Sequence, residues 1–360
     1  MKFGNHALLQ SLHSHTQKIL IVQTAFIGDV ILTIPLAKAI SGHLPTAEIH
    51  FLTIPNSREL IETLPFIHHV WIFDKRGEHS GIIQLFKYAR KIRSEDFDLA
   101  IIPHRSFRSA LLIFLSGIRN RIGFDRSSGN FLFTKQIAYP IELHEIERNM
   151  TLLKAIGLFP KTIPHPEIRT IDTDRQEVSL WLKKHDLYSD KNFICMAPGS
   201  IWPTKRWPSS HWGELIRKFN QKKITTILIG SQRDHSLAPE IVKYSGVQTI
   251  NAMGQFSLRE SAEIIRRSSL LISNDSAPTH MGVAVDTPVL TIFGSTIPQF
   301  GFYPYGKKNR VIEIKDLDCR PCTDHGRYKC PVGHFRCMRD ITPNSVFQIA
   351  WEMIHADIKD

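Results

Sequence analysis

Short β-branched apolar runs alternate with stretches of helical spacing along most of this chain, and no other feature constrains the fold as much. Lys18–Val22 (KILIV) is one such run; the loop Gln23-Thr24-Ala25-Phe26-Ile27-Gly28-Asp29 follows, and from Val30 to Ile40 apolar residues recur with helical spacing. Strand, glycine-containing loop and helix in that order form the first unit of an open parallel sheet, whose ligands sit outside the carboxyl ends of the strands. The loop lacks G-x-G-x-x-G, which excludes a dinucleotide fingerprint there. Further strands are predicted at 48–53, 69–73 and 99–103, and helices near 57–63, 81–92 and 106–115. Residues 144–157 read as an amphipathic helix closed by Gly157.

Residues 158–170 then hold Pro160, Pro164 and Pro166 with little periodicity, which marks the linker. Beyond it a second series begins, with strands predicted at 192–197, 224–230, 248–250, 270–273 and 288–293. The expected architecture is therefore α/β, two Rossmann-like domains facing a central cleft: residues 1–160, with 1–17 a loose extension, and residues 171–342. An amphipathic closing helix is expected after Pro343, within 343–360.

No apolar run approaches the roughly 20 residues that span a bilayer, and 1–17 lack the apolar centre of a signal peptide. A cytosolic protein is expected. The net charge of +11 suits phosphorylated substrates, nucleic acid or an anionic membrane face. Because the basic residues are scattered and form no arm or aromatic-interleaved groove, nucleic acid is not expected as a partner.

The chemistry concentrates at predicted strand ends. Ser273-Asn274-Asp275-Ser276-Ala277-Pro278-Thr279-His280 lies where an apolar strand gives way to a helix, a place that puts backbone N–H groups and a positive dipole end against an anion. The loop 198–208 (PGSIWPTKRWP) offers Ser200, Thr204, Lys205 and Arg206 at another strand end, where they either hold a phosphate or are solvated loop charges. Trp202 and Trp207 suit packing better than stacking. Asp29 is either a helix cap or a general base. After the fourth strand come Arg105 and Arg108, then Arg119, Arg121 and Arg126, either a cradle for an anionic acceptor or a solvated helix face.

These motifs together resemble those of the ADP-heptose:lipopolysaccharide heptosyltransferases, glycosyltransferase family 9. Thr24–Pro35 (TAFIGDVILTIP), the PGS–TKRWP loop, the SNDSAPTH turn and Phe293-Gly294-Ser295-Thr296 carry the resemblance, in the order and at the strand ends the family has them. The lysine loop and the Cys-rich segment are more similar to the second heptosyltransferase branch than to the first. The resemblance implies a GT-B fold, with the closing helix packing back on the N-terminal domain. It also implies inverting transfer of heptose from ADP-heptose to the inner core on lipid A, by a protein working peripherally on the anionic inner membrane.

By motif, Asp29 matches the proposed base, and Lys205 the lysine near the donor phosphates. Ser200 matches a hydroxyl of that loop, while Asp275, Ser276, Ala277, Pro278 and His280 match the turn that holds the donor. Gln232 stands near the position of an acidic ribose contact. Phe26 replaces a serine of the first branch, and Ala277 a glycine. Such a transfer develops positive charge at the anomeric carbon while a diphosphate leaves, so cationic groups aid departure and a carboxylate takes the acceptor proton. It requires no metal or other cofactor. Another GT-B enzyme, such as a different family 9 transferase or a nucleotide-sugar epimerase, is the competing enzymatic reading, and a basic binding module for nucleic acid or lipopolysaccharide the competing non-enzymatic one.

Cys319, Cys322, Cys330 and Cys337 give C-x2-C-x7-C-x6-C inside 319–337, with His325 and His334 interspersed; Cys195 stands apart in a strand. A structural zinc is one reading and unbridged thiols another, with a disulfide disfavoured in the cytosol.

Overall fold

The structure, a computed structural model, describes residues 17–356, and the chain divides into two compact units, Met1–Glu167 and Ile168–Asp360. The extension expected over 1–17 falls, apart from Gln17, outside the described residues.

The first unit runs β1 (Lys18–Val22), α1 (Ile27–His43), β2 (Glu48–Thr53), α2 (Arg58–Ile61), β3 (His69–Ile72), α3 (Ile82–Arg93), β4 (Leu99–Ile102), α4 (Phe107–Leu115), β5 (Asn120–Phe124), β6 (Lys135–Ile137) and α5 (Glu145–Thr151). Its sheet has the order β3-β2-β1-β4-β5-β6 with every pairing parallel. β1 is apolar from Ile19 to Val22 because both its faces are covered. Ile19 and Ile21 join the core that contains Val30, Ile34 and Met150. Leu20 and Val22 join the opposite one, with Leu85 and Ile92 of α3 and Ala110 and Ile113 of α4. Each such aliphatic side chain, taken fully out of water, contributes roughly 1.5–3 kcal/mol. The helix expected over 144–157 is α only to Thr151 and tightens to a 3-10 turn over Leu152–Ile156, which Gly157 ends at φ 73°.

The second unit repeats the plan. Its elements are α6 (Asp172–Lys184), β7 (Phe193–Ala197), α7 (Ser209–Gln221), β8 (Thr225–Leu228), α8 (Ala238–Ser245), β9 (Ile250–Asn251), α9 (Leu258–Arg267), β10 (Leu270–Asn274), α10 (Ala277–Ala284), β11 (Val289–Phe293), β12 (Arg310–Glu313), α11 (Arg336–Arg339) and α12 (Pro343–Ala356). The parallel sheet has the order β12-β11-β10-β7-β8-β9.

The closing helix corrects one expectation. α12 packs in the second unit: Val346, Ala350 and Met353 are buried in a core shared with Trp212, Phe219 and Leu290, and Phe347 meets Phe219 at 5.0 Å between ring centres. The unit boundary accordingly assigns 343–360 to the second unit and moves the linker's end to Glu167.

Candidate functional site

In each sheet the strand order reverses direction beside the first strand, between β1 and β4 in one unit and between β7 and β10 in the other. Loops leaving neighbouring strands diverge at such a point and open a crevice at the carboxyl ends. The motifs singled out in the sequence flank these two points.

In the first unit they are the β1–α1 loop and the segment after β4. Asp29 stands in the first turn of α1, half-buried, and its carboxylate accepts the Phe26 N–H at 3.2 Å. It therefore caps the helix from inside the first turn, where the helix dipole favours its negative charge. A carboxylate held in this way is also aimed, so capping and base chemistry are compatible. Around the loop, Thr24 Oγ1 lies 2.8 Å from Ser109 Oγ and 2.9 Å from His104 Nδ1, and Lys75 Nζ lies 3.5 Å from the same imidazole nitrogen. Burial, helped by Lys75 and Arg105, drives the His104 imidazole down to about 3. Burial, helped by Arg108 and Arg76, brings the Lys75 ammonium down to about 8. A neutral imidazole and a partly desolvated lysine thus line the reversal point, an arrangement suited to an anionic group.

The three arginines differ in use. Arg105 is exposed and stacks over Tyr139 at 4.7 Å, and its carbonyl takes the Ser128 N–H at 3.3 Å, so the Arg105 and Arg126 loops adjoin at the ends of β4 and β5. Arg126 is exposed. Arg108 instead donates to the carbonyls of His79 and Ser80. It serves as a brace between α4 and the start of α3, which corrects its placement in an acceptor cradle.

Glu145 is a site residue that the sequence did not reveal. It is buried, 3.0 Å from Arg148 Nη1, and accepts from the Tyr139 hydroxyl at 3.4 Å. Burial and the nearby Asp29 carboxylate push it up to about 7, against the pull of Arg148. A carboxyl whose proton affinity is raised by folding favours the fold below its unfolded value near 4.5, and that contribution is lost as pH climbs to about 7. The loss is about 3 kcal/mol. Glu145→Gln should therefore flatten the decline in unfolding free energy between about pH 4.5 and 7, measured by denaturant titration; an unchanged decline would show that Glu145 does not titrate there.

At the second reversal point, Lys205 Nζ and Asp275 Oδ2 form an ion pair of 2.6 Å, with the side chains only 14% and 7% exposed. The same carboxylate oxygen accepts the Thr296 hydroxyl at 2.6 Å. Asn274 holds the loops together, its amide donating to the Pro198 carbonyl at 2.7 Å while its oxygen takes the Trp207 N–H at 3.1 Å. Trp207 is buried, a packing residue as expected. α10 begins at Ala277, with Ser276 as its N-cap. Pro278 has no N–H, and the Thr279 N–H is bonded back to the Ser276 carbonyl at 3.0 Å. The helix start therefore offers its dipole and few backbone donors, and Lys205 supplies the local cation. His280 is buried in the same turn. Ser200 is nearly buried and accepts the Trp202 N–H at 3.4 Å.

Two donor-side expectations change. Thr204 is buried, and its hydroxyl takes the Arg327 N–H at 2.7 Å and the Ser295 hydroxyl at 3.2 Å, so it braces the Cys-rich segment. Gln232 packs against Gly254, where an added Cβ would fall 2.1 Å from its amide oxygen. The acidic group at that strand end is Asp234, which accepts the Ser231 N–H at 2.9 Å and lies so close to Gly199 that a Cβ there would meet its carboxylate carbon at 2.3 Å.

Residues 85–331 match the sequence model of glycosyltransferase family 9 (heptosyltransferase), more than half the chain. The chain belongs to that family. Lipooligosaccharide heptosyltransferase 2 of Haemophilus ducreyi is 25% identical over 347 residues, 92% of this chain and 97% of the relative. Lipopolysaccharide heptosyltransferase 2 of Escherichia coli K12 is 24% identical over 348 residues, with 92% and 97% covered. Among solved structures, the family 9 glycosyltransferase of Veillonella parvula aligns with a TM-score of 0.86 at 23% identity, covering 94% of this chain and 98% of that one. E. coli ADP-heptose lipopolysaccharide heptosyltransferase II aligns at 0.77 and 22%, covering 95% and 99%. The fold is GT-B, and family membership displaces the reading as a basic binding module.

In this family 9 glycosyltransferase the Cys-rich segment is wired to the Lys205 site by hydrogen bonds and an ion pair. Arg320 pairs with Glu313 at 2.9 Å and donates to the Thr296 carbonyl at 2.7 Å, and the Cys322 N–H bonds the Ser295 carbonyl at 3.0 Å. Cys319, Cys322, Cys330 and Cys337 are all free thiols, with Cys319 Sγ 3.7 Å from His334 Nε2. Burial and neighbouring Cys322 push the Cys337 thiol up to about 11. Among the described residues no three His, Cys, Asp or Glu side chains stand in a metal-holding group. Cys195 is buried in β7, a core residue.

Proposed function

We propose that this protein transfers L-glycero-D-manno-heptose, with inversion, from ADP-heptose to a sugar hydroxyl of the lipopolysaccharide inner core, as a second heptosyltransferase would. The observation that carries the reading is the buried Lys205–Asp275 pair at the start of α10. It provides a cation where a diphosphate leaving group would gain negative charge. Lys205, Ser200 and the α10 turn then hold the donor, and Asp234 is the acid suited to its ribose hydroxyls. Asp275 orients Lys205. Asp29 takes the acceptor proton, since a sugar hydroxyl near neutral pH needs a base as the bond forms. Lys75, Arg105 and Arg126 receive the anionic groups of the acceptor. The names of the relatives support the sugar and the acceptor.

The acceptor is a lipid, so the protein is expected to work at the inner face of the cytoplasmic membrane without crossing it; no helix among the described residues is long and apolar enough to span one. A donor panel of ADP-heptose and other ADP- and UDP-sugars with defined core acceptors tests the proposal. Turnover of ADP-heptose alone, with an inverted anomeric product by NMR, is the expected result. Turnover of a UDP-sugar without any acceptor would instead favour an epimerase.

A further inference from the structure

α3 carries two outward surfaces of different chemistry. Leu85, Tyr88, Ala89 and Ile92 are buried against the sheet, which leaves Ile82, Ile83 and Phe86 facing water at 61%, 67% and 54% exposure. The following turns present Lys87, Arg90, Lys91 and Arg93, and α3 contains no acidic residue. Its start does not stand alone. Arg108 of α4 donates to the carbonyls of His79 and Ser80 just before α3, which ties the beginnings of the two helices together. Phe107, next to that arginine, is 44% exposed and packs on Phe131, itself 69% exposed, at 6.3 Å between ring centres. Single exposed apolar residues are ordinary, but five large ones from three neighbouring segments are not. The basic border continues through Arg105, Arg119 and Arg126, with Glu78, Asp96 and Asp125 the exposed acids nearest to the border in sequence.

We infer that this face, Ile82, Ile83 and Phe86 with Phe107 and Phe131, inserts at the interface of an anionic lipid bilayer while the surrounding lysines and arginines meet its phosphate headgroups. An apolar tip alone would suit a protein partner as well; the cationic border decides for lipid. Short apolar side chains reach the boundary between headgroup and acyl chain, and each nearby Lys or Arg adds attraction to anionic lipid. Both helices start at the carboxyl end of the sheet. That end also carries Asp29, so docking there sets the acceptor-binding loops of the first unit close to the surface in which a lipid-linked acceptor is embedded. The inference rests on the proposed lipid acceptor for its purpose, though not for its test.

The full-length protein is sedimented with vesicles of phosphatidylethanolamine and phosphatidylglycerol, and in parallel with phosphatidylcholine vesicles. The wild type should pellet with the anionic vesicles, less so as salt rises, and stay in solution with the neutral ones. Ile82→Ser/Ile83→Ser/Phe86→Ser should weaken this partition roughly tenfold or more, and Lys87→Glu/Arg90→Glu by a similar factor. Because these side chains face water, the melting temperature should hold in both variants. Heptose transfer to a deacylated, water-soluble core acceptor should also be unchanged in them, while transfer to vesicle-embedded acceptor falls with binding. Wild-type protein that fails to pellet, or a triple serine variant that pellets as well as wild type, overturns the docking face. Loss of transfer to the soluble acceptor by wild type would instead overturn the transferase reading and leave the vesicle result standing by itself.

Discussion

Asp29→Asn should lower kcat by about 10²–10⁴-fold, the range over which a positioned general base contributes. The asparagine is chosen because of the cap. Its side-chain oxygen can still accept the Phe26 N–H that Asp29 accepts at 3.2 Å, so α1 keeps its first turn and loses only the interaction of a charge with the helix dipole, about 0.3–1 kcal/mol. ADP-heptose affinity, read by calorimetry, should stay within a few-fold of wild type, because the residues assigned to the donor lie in the other unit. A near-normal kcat in this variant would remove Asp29 as the base and leave it a cap. A loss of donor affinity would point to a folding defect.

The second large effect concerns the Lys205–Asp275 pair, and here stability and activity separate. Asp275→Ala leaves the Lys205 ammonium, 14% exposed, without its carboxylate, and breaking a buried pair from one side costs about 3–5 kcal/mol. Removing both charges together, Lys205→Met with Asp275→Leu, should recover most of that loss in denaturant titration, since the pair itself adds little net stability over apolar packing. Activity should not recover. The double variant keeps the fold and lacks the cation for the leaving group, so kcat/KM should remain depressed by the 1.5–3 kcal/mol of a charge-assisted contact, about ten- to a hundredfold. Full activity in the double variant would sink the assignment of Lys205.

What could be read from the sequence follows from what each residue's neighbours contribute. The central strands β1, β4, β7, β10 and β11 are covered on both faces and therefore largely apolar, and as near-continuous apolar runs they are found to within a residue or two. The strands at and next to the sheet edges are another matter. β5 contains Arg121 and Gly123, β6 has only three residues, and β12 begins with an exposed arginine; short, half-covered strands leave no run to detect. α6 has Asp174, Val178 and Leu182 as its only buried residues, a stripe too thin to stand out. For α12 the period shows that one side must be covered, but a period does not name the partner, and the partner proved to be α7 and its neighbours.

The site divides in the same way. Asp29, Lys205 and Asp275 stand just beyond strand ends, where position itself is informative. Glu145 and Lys75 gain their character from burial and from charges distant in sequence, Arg148 and Asp29 for one and Arg108 for the other. No local pattern encodes that. Thr204 misled for the converse reason: a hydroxyl in a phosphate-binding type of loop looks available until its partners in the Cys-rich segment are seen.

The Lys205–Asp275 contact also bears on which anions the protein will ignore. An unpaired lysine at a helix start would collect any phosphate or sulfate in the cell, and donor binding would have to compete with that background. Here an internal carboxylate already occupies the lysine at 2.6 Å. Only an incoming group that offers more than one negative oxygen, together with contacts elsewhere on the same molecule, has enough to gain by drawing the lysine away. The site is in effect pre-loaded with its own competitor, so simple anions should inhibit weakly and added salt should change the Michaelis constant for the donor less than a charge of +11 would suggest.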